Sequence, residues 1–157
     1  SPLARYYIHD YYTFSGSFQT SSGIYMNEEL TFTLMLRGKD PGLYFNTTTG
    51  FGVVTSVGVD VGCSVGKGYY YGSNPRELSS SMLGGWQGSL STAFGARGTV
   101  VQVGGTAGVD VGLNDKNEIS TVTTKVGISA GVGVGTPILQ SGIGAGKATN
   151  AIPILKF

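Results

Sequence analysis

The sequence predicts an all-β fold, either a strongly curved antiparallel meander or a narrow β-barrel, and three observations carry that expectation. From Phe51 to Val65 the odd positions read Phe, Val, Thr, Val, Val, Val, Cys, Val and the even ones Gly, Val, Ser, Gly, Asp, Gly, Ser. This is the two-residue period of a strand with one branched apolar face and one nearly bare face. A second run repeats it, with Val122, Thr124, Val126, Ile128, Ala130, Val132 and Val134 set against Thr123, Lys125, Gly127, Ser129, Gly131, Gly133 and Gly135. Finally, a strand of such length spans about 50 Å at roughly 3.3 Å per residue, far beyond the usual five or six residues, so it must coil or bend. Glycine in a strand costs roughly 0.5–1 kcal/mol relative to alanine, and a row of it marks close backbone approach. Small residues then crowd the concave side, and the valines face outward or toward a covering layer.

The elements follow in order. Tyr6 to Phe14 is rich in rings and reads as a strand or an aromatic cover, followed by a Ser/Gly stretch from Ser15 to Gly23. Leu30, Phe32, Leu34 and Leu36 alternate with Thr31, Thr33, Met35 and Arg37, a half-buried strand. Gly38-Lys39-Asp40-Pro41-Gly42 supplies turn chemistry, and Leu43 to Asn46 opens the long Gly/Val strand. Tyr69-Tyr70-Tyr71 closes it. Alternation vanishes over an irregular loop at about 72–85, where Asn74 and Pro75 suit the start of a short helical turn running through Arg76, Glu77 and Leu78 toward Met82-Leu83. Trp86 re-enters the sheet with Leu90, Thr92, Phe94 and Ala96 on one face, while Val101 and Val103 lie on the opposite parity, so a bulge near Gly98 is expected. Ala107, Val109, Val111 and Leu113 lead to a hairpin turn at Asn114-Asp115-Lys116-Asn117. Gly58-Val59-Asp60-Val61-Gly62 recurs as Gly108-Val109-Asp110-Val111-Gly112, which suggests a duplicated hairpin but is too short to establish one. The segment 142–150 reads as small and flexible, and 151–157 as an edge strand that tolerates Pro153. One domain results, with an aromatic segment at 1–23, a sheet or barrel at 24–140 and a flexible tail at 141–157.

Composition narrows the function. The 157 residues suffice for one packed core. The net charge is +1 and no Lys/Arg run occurs, so a nucleic-acid partner is not expected. Cys63 is the one cysteine, which leaves no internal disulfide; its place on the valine side reads as a small buried hydrophobe. Low charge with abundant Gly, Ser and Thr favours an extracellular setting. Ser1 to Tyr12 lack the basic start and apolar run of a signal peptide, and no stretch approaches the roughly 18 apolar residues of a membrane-spanning helix. A β-barrel is the membrane-spanning form left open.

Few residues suit chemistry. His9 is the single histidine; it pairs on paper with Cys63 as a nucleophile and with Asp10, Asp60 or Asp110 as the orienting acid, but no nucleophile elbow surrounds Cys63. Glu28-Glu29 reads as a solvated loop. Asp60 and Asp110, each among glycines, are candidates to share a cation or to line a channel. Gly142 to Thr149 superficially resembles a phosphate loop but lacks the glycine spacing and the Lys-Ser/Thr pair. Tyr69, Tyr70, Tyr71 and Trp86, with Arg76 between them, are candidates for a sugar-binding or membrane-interface platform. No cofactor is expected.

The succession Gly50 to Gly68, Tyr69-Tyr70-Tyr71-Gly72, Arg76-Glu77-Leu78, Gly84-Gly85-Trp86, a glycine-spaced strand and Val126 to Gly135 resembles the glycine-rich C-terminal domains of Rhs-type bacterial secreted proteins, over about residues 42–136. The resemblance implies a toxin-like effector module delivered by a larger polypeptide, with a cognate immunity protein as partner, and supplies no catalytic residue. The sequence reading is therefore a secreted, non-enzymatic β domain, membrane-active or pore-forming, whose valine faces meet lipid or copies of themselves. The alternatives are a soluble ligand- or carbohydrate-binding module using the Tyr69–Trp86 region, and an effector enzyme using His9.

Overall fold

The computed structural model describes residues 10–71, 79–97, 101–114, 118–134 and 139–157. Seven strands make up the sheet: β1 (Tyr11–Met35), β2 (Gly42–Tyr70), β3 (Gly85–Arg97), β4 (Val101–Leu113), β5 (Ile119–Val134), β6 (Leu139–Ala148) and β7 (Ile152–Lys156). A short 3-10 turn, Ser80–Leu83, precedes β3. All pairings are antiparallel, in the order β1-β2-β5-β4-β3-β6, and β6 returns to pair with β2, closing the ring. The narrow-barrel expectation holds.

Closure depends on one long bent hairpin. Fully extended, the 25 residues of β1 would hold their ends about 80 Å apart. Yet the Leu36 N–H donates to the Asp10 carbonyl at 3.0 Å, and the Ser15 and Thr31 hydroxyls meet at 3.2 Å. The strand therefore reverses midway, at the register break between Ser22 and Ile24, where Gly23 takes φ +85°, a conformation side chains disfavour. β2 bends with it. Its first part pairs with β6 through Val54, and its second pairs with β5 from Val57 onward.

The bare stripe lines the inside. A Cβ at Gly52 would meet the Ile143 carbonyl, lie 2.6 Å from the Gly144 Cα and 2.7 Å from the Tyr25 ring; at Gly68 and Gly144 it would strike the rings of Tyr11 and Tyr25. Glycine thus makes room for interior tyrosines, and the tight packing its alternation signals is real. Met35 and Tyr44 are 0 % and 1 % exposed and, with Tyr11, form a small core against Tyr70, Met82, Leu83 and Ala151. Tyr25 and Ala148 are also buried, and the polar members of the buried set are Asp10, Ser15, Ser21, Thr33, Asn46, Thr48, Ser120, Thr121 and Thr123.

Several local expectations change. Ser15 to Gly23 does not separate an aromatic segment from the sheet, because Ser, Thr and Gly there fill the inward and bending positions of one continuous strand. The segment 142–150, read as flexible from its small residues, is mostly β6, where those residues fit between β2 and β3. Glu28-Glu29 is not a loop but part of β1, facing Thr49 and Thr48. Cys63 is exposed rather than buried, because the valine stripe on which it lies faces outward. As expected, Ile152–Lys156 adds a short strand at the β2 edge, with Pro153 opposite Tyr44 beside a register break. The helical turn foreseen near Pro75 falls partly on residues 72–78, outside the described residues, as do Arg76 and Gly98.

Candidate functional site

Register sorts the barrel into two ends. The near end carries Asp10, the connection from Leu36 to Pro41, Tyr71, the 3-10 turn, Asn114 and Glu118; the far end is the Gly23 reversal together with Val57, Arg97, Val101 and Val134. Asp10 is 1 % exposed, accepts a hydrogen bond from the Tyr70 N–H at 2.8 Å and lies 3.9 Å from Arg37. It fastens the start of β1 to the end of β2. At the same end, Asn46 Nδ2 donates to the Leu83 carbonyl at 2.9 Å, and the Asp40 carboxylate accepts from both the Ser80 amide and its hydroxyl, so the 3-10 turn is tied across the barrel mouth.

Inside the near half lies an ionic layer. Lys125 of β5 donates to Glu29 of β1 at 3.0 Å and also contacts Asp110 of β4, and the Thr31 hydroxyl donates to Glu29 at 3.2 Å. Burial alone would drive the Lys125 ammonium toward neutrality, but the Asp110 and Glu29 carboxylates more than reverse this and hold its pKa above the usual lysine range. Burial raises the Asp110 carboxyl, and Lys125 only partly offsets it. Beneath this layer the Tyr11 hydroxyl bonds Thr123 Oγ1, and burial pushes its pKa up to about 12 against the opposing pull of Thr123 and Thr121. The space left beside these groups is a cavity of about 60 Å³ lined by Thr13, Thr33, Thr48, Trp86 and the ionic triad, among others. That volume admits one or a few waters, whereas small-molecule sites run to roughly 300–1,000 Å³.

The outer surface is the inverse of the lumen. Exposed large apolar residues occur on every strand: Phe18, Ile24 and Met26 on β1; Phe51, Val53, Val61 and Val65 on β2; Leu90 on β3; Val103 on β4; Val126, Ile128 and Val132 on β5; Ile143 on β6. Ile128 and Ile24 reach 67 % and 65 % exposure. No described segment covers the valine stripe, since the described N-terminal rings divide between the two sides: Tyr11 is inside, while Tyr12, Phe14 and Phe18 extend the apolar exterior, and Tyr6 and Tyr7 lie outside the described residues.

The remaining sequence candidates are scattered. His9 lies outside the described residues; Asp10 is engaged as above, and Cys63 faces outward, away from the lumen. Asp60 and Asp110 both point inward but are opposite Gly131 and Thr123, eight positions apart along β5, and Asp110 is held by Lys125, so they do not share a site. No cluster of three metal-ligating side chains occurs among the described residues. Tyr71 and Trp86 are exposed at the near end, Tyr69 and Tyr70 are half-buried, and Lys147 sits 5.7 Å above the Trp86 ring. The ionic triad escaped sequence reasoning, although a signal existed: Asp110 and Lys125 each fall on the bare stripe of a strand, where only a partner excuses a charge.

No known protein family and no curated protein sequence matches the chain. Among solved structures, the virulence-associated protein VapD from the intracellular pathogen Rhodococcus equi is similar at a TM-score of 0.40 and 17 % identity, over 88 % of this chain and 94 % of that one. The photoswitchable fluorescent protein Gamillus is more remote, at a TM-score of 0.26 and 10 % identity over 83 % of this chain and 86 % of that one.

Proposed function

We propose that this chain is a secreted, membrane-active β domain that acts without catalysis by placing its apolar exterior in lipid. The observation that carries this reading is the inverted distribution of side chains, with branched apolar residues outward on all strands from β1 to β6 and Thr, Ser, Asn and an ion triad inward. Transmembrane barrels divide their residues in this way because hydrocarbon accepts apolar side chains while the closed ladder satisfies the backbone. No helix among the described residues is long and apolar enough to cross a membrane, which leaves strands as the elements that would contact lipid. A protein partner would cover one flank, about 800 Å² for a typical interface. The apolar residues here encircle the barrel, so lipid, which surrounds what it solvates, fits them better than a second copy.

Activity would come from insertion and disturbance of the bilayer rather than from flow through one barrel, because Tyr11, Tyr25 and the Lys125 triad occupy the lumen. The cavity beside the Lys125 triad is too small for an ordinary small-molecule ligand, which weighs against ligand binding within that part of the lumen. The toxin-like effector role and the immunity partner belong to the same proposal and rest on the sequence resemblance. The test is flotation with phosphatidylcholine liposomes, with and without phosphatidylglycerol, alongside dye release at micromolar protein. Co-flotation with release is expected. A protein that stays at the bottom of the gradient, monomeric and without effect on the liposomes, overturns the proposal.

A further inference from the structure

Resting on that membrane reading, we infer that the barrel enters lipid end-on, with the Gly23 end leading and the near end left in water. The charges are partitioned along the barrel axis. The chain has ten basic and nine acidic residues. In the far portions of the strands, residues 18–27, 51–63, 90–97, 101–109, 126–134 and 139–146, only Asp60 and Arg97 are charged. Asp60 faces inward against Gly131, and Arg97 is the last residue of β3. The connecting residues 98–100 and 135–138 also carry no charge in the sequence. Apart from Arg97 at its tip, the far half therefore carries no outward charge, and its described outer surface is dominated by apolar residues such as Ile24, Val53, Leu90, Val103, Ile128 and Ile143.

The near half differs in kind. Glu28 on β1, Lys67 on β2 and Lys147 on β6 are exposed on the outer surface, and beyond them lie Arg37, Lys39, Asp40, Glu118 and Lys156 on the connections and on β7. Tyr12, Tyr71 and Trp86 stand exposed among these charges. Amphipathic rings prefer the boundary between headgroups and acyl chains, where their apolar bodies and polar tips are both accommodated. A barrel lying on its side would drag Lys67 or Lys147 into hydrocarbon, whereas an upright one leaves both in the headgroup layer. From Lys125 to Val134 the strand makes nine residue steps. At about 3.3 Å each and a tilt of roughly 40° they rise about 23 Å, less than the roughly 30 Å hydrocarbon core. The far end would thus stop inside the bilayer without emerging on the other side.

The chain carries one tryptophan, at the near end, and one cysteine, which makes depth directly measurable. Ser22 at the far reversal and Lys67 near the other end are both exposed, so Ser22→Cys and Lys67→Cys, each in a Cys63→Ser background, accept an environment-sensitive fluorophore on the outer surface. The labelled proteins are bound to phosphatidylcholine/phosphatidylglycerol liposomes containing nitroxide lipids labelled either near the headgroup or deep in the acyl chain. The expected result is at least twofold stronger quenching of the Ser22→Cys label by the deep nitroxide than by the shallow one. Trp86 should show the reverse preference, and the Lys67→Cys label should remain open to aqueous iodide. Equal depths for all three probes mean a side-on barrel and overturn the orientation while leaving lipid binding intact. Trp86 deeper than the Ser22→Cys label overturns it as well. Stoichiometric disulfide dimers of Ser22→Cys, with no change on adding liposomes, mark the far end as a self-association face and overturn both readings. So does failure of every variant and the parent protein to float.

Discussion

Replacing Gly52 with alanine adds a single methyl group, yet it should weaken the barrel more than removing two methyls from its outer face. The new Cβ has nowhere to go: the Ile143 carbonyl and the Gly144 Cα are backbone atoms of the adjacent β6, and the Tyr25 ring lies 2.7 Å away on the inner side. Overpacking of this kind costs about 1–3 kcal/mol, and because two of the three obstacles are main chain, the upper part of that range applies. In a domain of this size roughly 2–4 °C in Tm accompanies each kcal/mol, so a fall of about 6–10 °C is expected. Gly88 supplies the control, since nothing lies within 4 Å of its Cβ direction. Gly88→Ala should leave stability unchanged or raise it by about 0.5–1 kcal/mol through reduced freedom of the unfolded chain. Val53, next to Gly52, is more than half exposed, and Val53→Ala should cost under about 0.5 kcal/mol. Guanidinium denaturation of the four proteins decides the matter. If Gly52→Ala and Gly88→Ala unfold at the same denaturant concentration, or if Val53→Ala is the most damaging of the three, the bare stripe does not face inward.

Other consequences follow from the lumen and from the outer wall. Lys125→Met leaves Glu29 and Asp110 facing one another without their cation and should cost about 3 kcal/mol in denaturation; adding Glu29→Gln and Asp110→Asn should restore most of the loss, since neutral replacement of a whole buried network is often tolerated. Tyr11 has a folded pKa raised from 10.0 to about 12 by burial, so its contribution, on the order of 3 kcal/mol, is present below pH 10 and lost as pH rises through about 12. Lys125, also raised, begins to lose its contribution above about pH 10.5 and overlaps Tyr11, so Tyr11→Phe should make the alkaline decline shallower without abolishing it in a pH series of urea melts. Asp40 has the opposite sign: partial burial pulls its carboxyl up, but hydrogen bonds from Ser80 hold it below the usual range, so its contribution is present at neutral pH and lost as pH falls through the folded value. Val61→Glu on the outer wall should leave the folding midpoint within about 0.5 kcal/mol of the parent, yet weaken liposome binding about 30-fold, the equivalent of about 2 kcal/mol for an acidic group in hydrocarbon.

Much of the fold is legible because the two-residue period survives wherever one face of a strand must be small. Val122 to Gly135 and Phe51 to Val65 declare both their conformation and their two faces, and the excess length of the second predicts the bend that the barrel uses. Less legible is which face is inside. Burial of Val, Ile and Leu is the ordinary expectation for a chain in water, and it places Cys63 in the core; here tyrosine rings lying on glycine, together with threonine and serine side chains, fill the interior, and the valines face outward. Gly142 to Asn150 reads as flexible, and Ser15 to Gly23 as a Ser/Gly stretch outside the sheet, for a related reason. Their small residues carry no alternation of hydrophobicity, although the backbone pairs continuously from Ser15 to Ser22 and from Gly142 to Ala148. The ionic layer joins Glu29, Asp110 and Lys125 from three strands, and that meeting is set by closure of the ring, which local pattern does not contain.

The outward direction of the valine stripe can be read from the thiol that lies on it. Native protein in buffer is treated with a water-soluble maleimide, before and after adding liposomes, and modification of Cys63 is followed by mass spectrometry. Expected is complete reaction within minutes in buffer, at the rate of an exposed thiol, and at least tenfold slower reaction with lipid present. A thiol that stays silent until denaturant is added would place the stripe inside the barrel, and the membrane reading would lose its surface.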